Sequence, residues 1–238
     1  KFSRRDFLKI GGLAVLGTAS ATAAVAQNSQ PGHTNSHGSS ALQQQGEHEG
    51  DLPNIVGEVD HEKNGFHPDD ILTDFDYGKT STLPNGQTLR EYEIIALNKN
   101  VEVVPGIEYP AWTYNGRIPG PTIRATEGDR IRIHFSNGSN HPHSMHFHGF
   151  HTGTMDGVPG SGPGGMVQPG ESFVYEFDAE PFGLHLYHCH VFPLARHIAK
   201  GLYGTFIVDP KQGRPLVDHE MVMVMSGFDV DFDDVNDF

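Results

Sequence analysis

The sequence predicts an all-β protein built as a sandwich or barrel, and two features of the chain from about residue 88 onward predict it. Apolar and polar residues alternate with a period of two, which is typical of strands that bury one face. Turn signals such as Asn115-Gly116 and Asn137-Gly138 interrupt this alternation at short intervals. A domain of about eight or more short strands indicates a sandwich or barrel rather than a helical fold.

The alternation assigns the strands one by one. We predict strands at residues 89–97, 101–104, 111–115, 122–125, 130–137, 144–148, 172–178, 183–189, 204–209 and 221–225. A single helical turn is expected at 196–200. The resulting domain covers residues 86–215.

The chain begins with an export pattern. A twin-arginine pair, Arg4-Arg5, is followed by an apolar run at 10–23 and an A-x-A end at 24–26. We therefore predict a signal peptide at 1–26 and a periplasmic or extracellular location. The apolar run is short and rich in Gly, Ala and Thr, so no stable membrane span is expected in the mature protein.

Residues 27–85 are predicted to be a flexible, irregular lead-in. The first part of this stretch is rich in Gln, Ser, Gly and His and carries almost no large apolar residues. Such a composition cannot bury enough surface to offset the entropy of ordering. The formal net charge of the whole chain is −14. An acidic surface of this kind argues against nucleic acid as a partner.

The single cysteine, Cys189, lies between His188 and His190. A thiolate with imidazoles is a soft donor set that favours copper or zinc over magnesium or calcium. Successive side chains of a strand point to opposite faces, so Cys189 is predicted to face one metal while both neighbouring histidines face another. By the same argument His146 and His148 share a face. A structural zinc site would need four converging ligands and would gain nothing from this divergence.

Three segments resemble the multicopper oxidases of the laccase family. They are the NGRIPGPTI…EGD stretch within 114–129, HSMHFHG at 143–149 and HCHVFPLARHIAKGL at 188–202. The resemblance covers roughly 85–238 and is closest to the two-domain bacterial type that carries type 1 copper in domain 1 and is related to copper nitrite reductases. It implies a cupredoxin-like Greek-key β-sandwich.

The resemblance also implies the roles of individual residues. The type 1 copper ligands would be His143, Cys189 and His197, with Leu202 at the non-ligating axial position; the type 2 ligand would be His146, and the type 3 ligands His148, His188 and His190. A leucine at the axial position implies a relatively high potential. Asp156 resembles an acid of the family that relays protons at the cluster. A turn-forming Asp before Gly is an equally good interpretation.

The implied activity is that of a copper-dependent oxidase. A small donor, such as a diphenol, would lose one electron at a time to type 1 copper, and four electrons would reduce O2 to water at a trinuclear cluster. The family uses eight histidines for that cluster, and this sequence supplies four. Residues 216–238 resemble a linker and the start of a second cupredoxin domain. We therefore expect a fragment whose cluster is completed by the second domain of a neighbouring subunit in a homotrimer.

Three other functions compete with that of an oxidase. A copper nitrite reductase would share the type 1 site, although such reductases carry Asp near the position of His146 and Ala near that of His190. A non-catalytic cupredoxin electron carrier would have no use for four surplus imidazoles on matched faces. A copper-storage protein would not need a cysteine flanked by histidines on a strand. The longer spacing between Cys189 and His197 supports the two-domain branch.

Overall fold

Two β-sheets face each other across a core of aromatic and aliphatic side chains. The computed structural model describes residues 57–149 and 153–230. The strands are β1 Phe75–Asp76, β2 Lys79–Thr82, β3 Thr88–Val104, β4 Ile107–Tyr114, β5 Thr122–Thr126, β6 Arg130–Asn137, β7 His146–Phe147, β8 Ser172–Asp178, β9 Gly183–His188 and β10 Tyr203–Asp209. The helices are α1 His61–Asn64, α2 Pro68–Ile71 and α3 Leu194–Ala199, with 3-10 turns at Gly153–Met155 and Pro163–Gly165.

The sheet topology confirms the predicted all-β sandwich. One sheet has the order β1-β5-β10-β9-β7, and the other has the order β2-β3-β6-β8 with β4 paired to β3. Both parallel and antiparallel pairs occur: β10 is parallel to β5 and antiparallel to β9. Mixed pairing of this kind requires crossover connections between the sheets, which a simple run of hairpins would lack.

The core explains why the sequence alternates. Along β6 the burial alternates strictly, and Ile131, Ile133 and Phe135 point inward with no exposed surface. They meet Phe147 and Phe206 from the opposite sheet in one continuous cluster. Burying each such side chain contributes about 1.5–3 kcal/mol, so this cluster fixes the register of the strands that carry the candidate ligands.

Several strand bounds differ from those expected. Strand β3 runs without interruption where two strands were predicted, because it pairs with β2 and β6 in its first half and with β4 in its second. The predicted strand at 144–148 is reduced to β7. Within the described range 153–230, residues 221–225 form no strand. A backbone hydrogen bond of 2.9 Å instead joins the Val222 N–H to the Leu72 carbonyl.

The lead-in also differs from expectation in its described part. Residues 57–85 contain α1, α2, β1 and β2 rather than only irregular chain. Strand β1 pairs in parallel with β5, and β2 pairs with β3, so both extend the sandwich. The buried Asn64 side chain bonds the backbone of Glu102 in both directions, which holds α1 on the domain. Low apolar content concealed these elements because their order comes from pairing with the body of the sheet. The predicted signal peptide at 1–26 lies outside the described residues.

A buried arginine connects the C-terminal segment to the sandwich. The Arg124 side chain on β5 is 1% exposed and makes paired bonds of 2.8–3.0 Å to the carboxylates of Asp209 and Glu220. The bond from Arg124, together with a weaker contribution from Arg214, lowers the pKa of Glu220 to about 2. Glu220 is thereby held against the end of β10. None of the helices that the structure describes is long and apolar enough to cross a membrane.

Candidate metal centre

Three different elements bring His143, Cys189 and His197 together. His143 precedes β7 and is fixed by two backbone bonds to Val167, of 2.9 and 3.1 Å. Cys189 directly follows β9, and His197 lies on α3. All three side chains are buried, with exposures of 0%, 0% and 3%. The structure thus assembles the three residues expected at a type 1 site.

The donor atoms of this group form a compact triangle. The Nδ1 atoms of His143 and His197 are 3.2 Å apart, and the Cys189 Sγ lies 3.2 Å from His197 Nδ1 and 3.8 Å from His143 Nδ1. A point equidistant from all three lies about 2 Å from each, close to the metal–ligand distances of protein sites with imidazole and thiolate donors. The residues therefore fit a metal ion.

Burial sets the protonation of this group. Desolvation lowers the pKa of His143 to about 3 and that of His197 to about 4, so both rings are neutral near pH 7 and keep a lone pair for a metal. Desolvation also raises the pKa of the Cys189 thiol to about 11. Near neutral pH a metal must therefore displace the thiol proton.

Leu202 joins the two ligand-bearing segments through its backbone. Its N–H donates to the His197 carbonyl at 3.2 Å, and its carbonyl accepts from the Cys189 N–H at 3.0 Å. The side chain is fully buried in the core and carries no donor atom. Leu202 therefore helps to place both ligands while adding no metal bond of its own.

A second group of histidines lies on the other face of the 188–190 segment. Nitrogen atoms of His146, His148 and His188 lie within 4.8 Å of one another. The register of β7 on β9 pairs His146 with His188, and the Nε2 atoms of His148 and His188 are 2.9 Å apart. The His190 ring stands 4.9 Å from that of His146. The structure thus gathers the four predicted imidazoles, although His190 lies outside the tight set of three.

The divergence expected at Cys189 is present although β9 ends at His188. The thiol faces His143 and His197, while the rings of His188 and His190 stack at 5.6 Å with an interplanar angle of 24°. An extended backbone continues the alternation past the last paired residue. Two candidate metal sites are therefore connected through consecutive covalent bonds.

Asp156 lies beside the second group. Its Oδ1 atom is 2.5 Å from His146 Nδ1, and both side chains are mostly buried. The contact orients the His146 ring through Nδ1. The backbone of Asp156 also agrees with its interpretation as a turn residue, because Asp156 directly follows the 3-10 turn at Gly153–Met155.

Ser144 and Trp112 were not predicted as site residues. The buried Ser144 donates its N–H to Cys189 Sγ at 3.4 Å, and its hydroxyl accepts from the His190 N–H at 3.2 Å. It therefore contacts both groups. Only its position between His143 and His146 could have marked it as a site residue in the sequence. Trp112 packs against both type 1 candidate imidazoles. In the sequence, Trp112 is distinguished only as the single tryptophan of the chain.

The fold and the buried His2Cys group together define a cupredoxin-type domain. A sequence model of the multicopper oxidase family matches residues 96–213. The chain therefore carries a domain of the multicopper oxidase family.

Individual relatives agree with this family. The crystal structure of a multicopper oxidase superposes with a TM-score of 0.73 at 61% identity, over 75% of this chain and 62% of that one. A copper-containing nitrite reductase of Neisseria meningitidis is 38% identical over 56% of this chain. Copper resistance protein A of Escherichia coli is 32% identical over 64% of it. The matched part spans 33% and 25% of those two relatives.

Proposed function

We propose that this chain binds copper and forms the electron-accepting half of a copper-dependent oxidase. The observation that carries the proposal is the triangle of His143, Cys189 and His197 donor atoms, buried and 3.2–3.8 Å apart. A His2Cys set of this kind is the blue-copper arrangement, which lacks only a strong axial ligand. Leu202 would stand at the axial position of such a site, and its side chain offers no donor atom.

The second group supplies half of an oxygen site. His146 would hold type 2 copper, and His148, His188 and His190 would belong to the type 3 pair. Bound copper would supply one-electron chemistry at the first site and four-electron reduction of O2 to water at the second. The family uses eight histidines there, so a second domain or subunit must bring four more. A homotrimer, as in the two-domain oxidases that the chain resembles, is the arrangement that we propose.

The chain's own residues have separate tasks in this scheme. Cys189 gives a bonded route from the first site to His188 and His190, because the three residues are consecutive. Burial of the first group excludes water and keeps both imidazoles neutral. Asp156 orients His146 and is placed to hold or pass a proton at Oδ1. The donor would be a diphenol or a similar small reductant, and export by the twin-arginine route would place the reaction in the periplasm or outside the cell.

Copper loading tests the first part of the proposal. The full 238-residue chain should bind copper with the intense visible absorption of a copper–thiolate bond, and Cys189→Ser should abolish that band. As a control, His134→Gln changes a histidine on the outer face of β6, paired with Glu91, and should leave the band intact. Copper bound without a thiolate band would contradict the assignment.

Nitrite reduction is the second candidate function, because the Neisseria relative is named a copper-containing nitrite reductase. The presence of His146 and His190 with rings 4.9 Å apart favours dioxygen, since such reductases carry Asp and Ala near these positions. The test compares O2 and nitrite consumption by copper-loaded protein. We expect the 238-residue chain alone to reduce neither. O2 consumption should appear when a chain carrying the complementary histidines is added, and nitrite turnover without O2 turnover would reverse the choice.

A further inference from the structure

The indole of Trp112 contacts every histidine at the first site. Its ring centroid lies 5.1 Å from that of His143 and 4.7 Å from that of His197. A third ring, that of His141, lies 4.6 Å away on the same indole. Trp112 itself is only 7% exposed. The one tryptophan of the chain therefore packs against both imidazoles of the candidate type 1 site.

The indole also contacts side chains at the surface. His141 and Arg196 are both exposed, and the Arg196 guanidinium carbon lies 5.9 Å from the indole centroid. By contrast, the two imidazole ligands are 0% and 3% exposed. A reductant that approaches from this side would meet Trp112, His141 and Arg196 before it could touch either ligand ring.

The backbone of Trp112 is tied to the segment that carries His197. The Trp112 N–H donates to the Lys200 carbonyl at 2.8 Å, immediately after α3, which carries His197. The Lys200 ammonium returns a bond of 2.8 Å to the Pro110 carbonyl on β4. Strand β4 and the end of α3 are therefore joined at two points, which fixes the backbone of Trp112 relative to the helix that carries His197.

We propose that Trp112 is a positioning residue for the two type 1 imidazoles and the contact through which electrons reach them from the surface. The proposal rests on the function proposed above. A small outer-sphere reductant at the His141–Arg196 surface would lose one electron to copper held by His143, Cys189 and His197, with no transfer of an atom or a proton. The indole fixes the planes of the His143 and His197 rings. It also provides a packed path from the surface to these two imidazoles.

The test uses the full chain and two variants at one position. Trp112→Phe keeps an aromatic ring against the imidazoles, whereas Trp112→Leu removes it. Phe177→Leu is the matched control, because it removes a buried aromatic ring from β8, which β6 and β3 separate from β4 in the same sheet. Each copper-loaded protein is examined for its thiolate band, for its type 1 potential and for its rate of reduction by hexacyanoferrate(II) in stopped flow.

We expect Trp112→Leu to slow reduction about tenfold and to shift the potential, with Trp112→Phe much closer to wild type, as for other residues that orient metal ligands. Phe177→Leu should match the wild type in rate and potential. A Trp112→Leu protein that retains the thiolate band, the wild-type potential and the wild-type rate would overturn the proposal. Absence of the thiolate band from the wild type would instead reject the function on which the proposal rests.

A second measurement needs no variant at this position. Because the chain has one tryptophan, its fluorescence reports on Trp112 alone. Co2+ titrated into the metal-free protein should quench this fluorescence in step with the appearance of the cobalt–thiolate band. In Cys189→Ser neither change should occur at the same metal concentration. Growth of the thiolate band with unchanged fluorescence would also overturn the proposal.

Discussion

The carboxylate of Asp156 lies 2.5 Å from Nδ1 of His146 and thereby fixes which nitrogen of that ring can bind a metal. An ionised carboxylate can only accept a hydrogen bond, so Nδ1 carries the proton and Nε2 keeps its lone pair. Histidine ligands in proteins commonly hold this arrangement, which fixes the ring and increases its basicity. Asp156 and His146 therefore act as one unit at the second site.

The first prediction concerns this pair. In a Cys189→Ser background, where only the second group can hold metal tightly, Asp156→Ala should weaken Co2+ binding about tenfold. Asp156→Asn should lose less, because its amide oxygen still accepts from Nδ1. Competition with a chromophoric chelator measures both affinities. The control is Asp74→Asn, an exposed acid paired with Arg117. Equal affinities in the Asp156→Ala protein and its parent would show that the contact does not position the ligand.

The second prediction concerns the axial position. Leu202→Met introduces a thioether beside the first site, and a weak axial sulfur bond stabilises Cu(II) relative to Cu(I). The potential of the type 1 copper should therefore fall. The exchange conserves volume and should cost less than about 1.5 kcal/mol of stability. Redox titration of the blue band measures the change, with Leu186→Met on the exposed face of β9 as the control. An unchanged or higher potential would count against the assignment of Leu202.

The third prediction follows from the pKa shifts of the first group. Between about pH 5 and 9 both imidazoles are already neutral and the thiol is still protonated, since their pKa values are about 3, about 4 and about 11. Metal uptake should release one proton, from Cys189, and the apparent affinity should rise about tenfold per pH unit. Calorimetry of Co2+ binding in buffers of different ionisation enthalpy measures the release. The value for Cys189→Ser is subtracted, and a difference near zero would contradict a buried neutral thiol.

The fourth prediction concerns the buried Arg124. Arg124→Gln should lower the free energy of unfolding by about 2–4 kcal/mol, because it removes the buried cation from two partly buried carboxylates. Arg214 contacts the same two acids from a more exposed position, so Arg214→Gln should cost less than about 1 kcal/mol. Urea unfolding at pH 7 compares the two variants. Equal losses of stability in the two variants would show that the burial of Arg124 does not increase its contribution.

The ion pair between Arg124 and Glu220 makes the free energy of unfolding depend on pH. The pKa of Glu220 is lowered from 4.5 to about 2, so its contribution is present above pH 4.5 and is lost as the pH falls toward 2. Glu220→Gln should therefore reduce the difference in stability between pH 5 and pH 2.5. A variant whose acid sensitivity equals that of the wild type would show that other groups dominate in this range.

Local pattern predicted the sandwich because its inner strands bury one face each. Strands β6 and β8 have the expected bounds, since alternation and flanking turns agree there. The sequence pattern did not predict β1 and β2, which are short. Strand β1 is half-exposed and β2 is exposed. They are stabilised by pairing with β5 and β3, respectively, rather than by their own apolar residues. Long-range pairing of this kind leaves little trace in a short window of sequence.

The candidate site was predictable where ligand chemistry constrains residue type. The triangle around Cys189 and the four imidazoles behind it follow from the donor residues and from strand alternation. Ser144 and Trp112 act by hydrogen bonding and packing, for which many residue types are suitable, so no motif identifies them. Asp156 lay between two interpretations until the distance to His146 was known.

One donor of the first site, His143, is far along the chain from the other two. Cys189 is 46 residues from His143, and His143 is 54 residues from His197. An unfolded chain offers Cys189 with imidazoles close to it in sequence but without that of His143, because closing so long a loop costs entropy that few contacts repay early in folding. The absorption of the complete His2Cys set can therefore arise only after the segment that precedes β7 has reached the end of β9. In a refolding time course it would report the closure of this long loop, as a colour that the three residues acquire together.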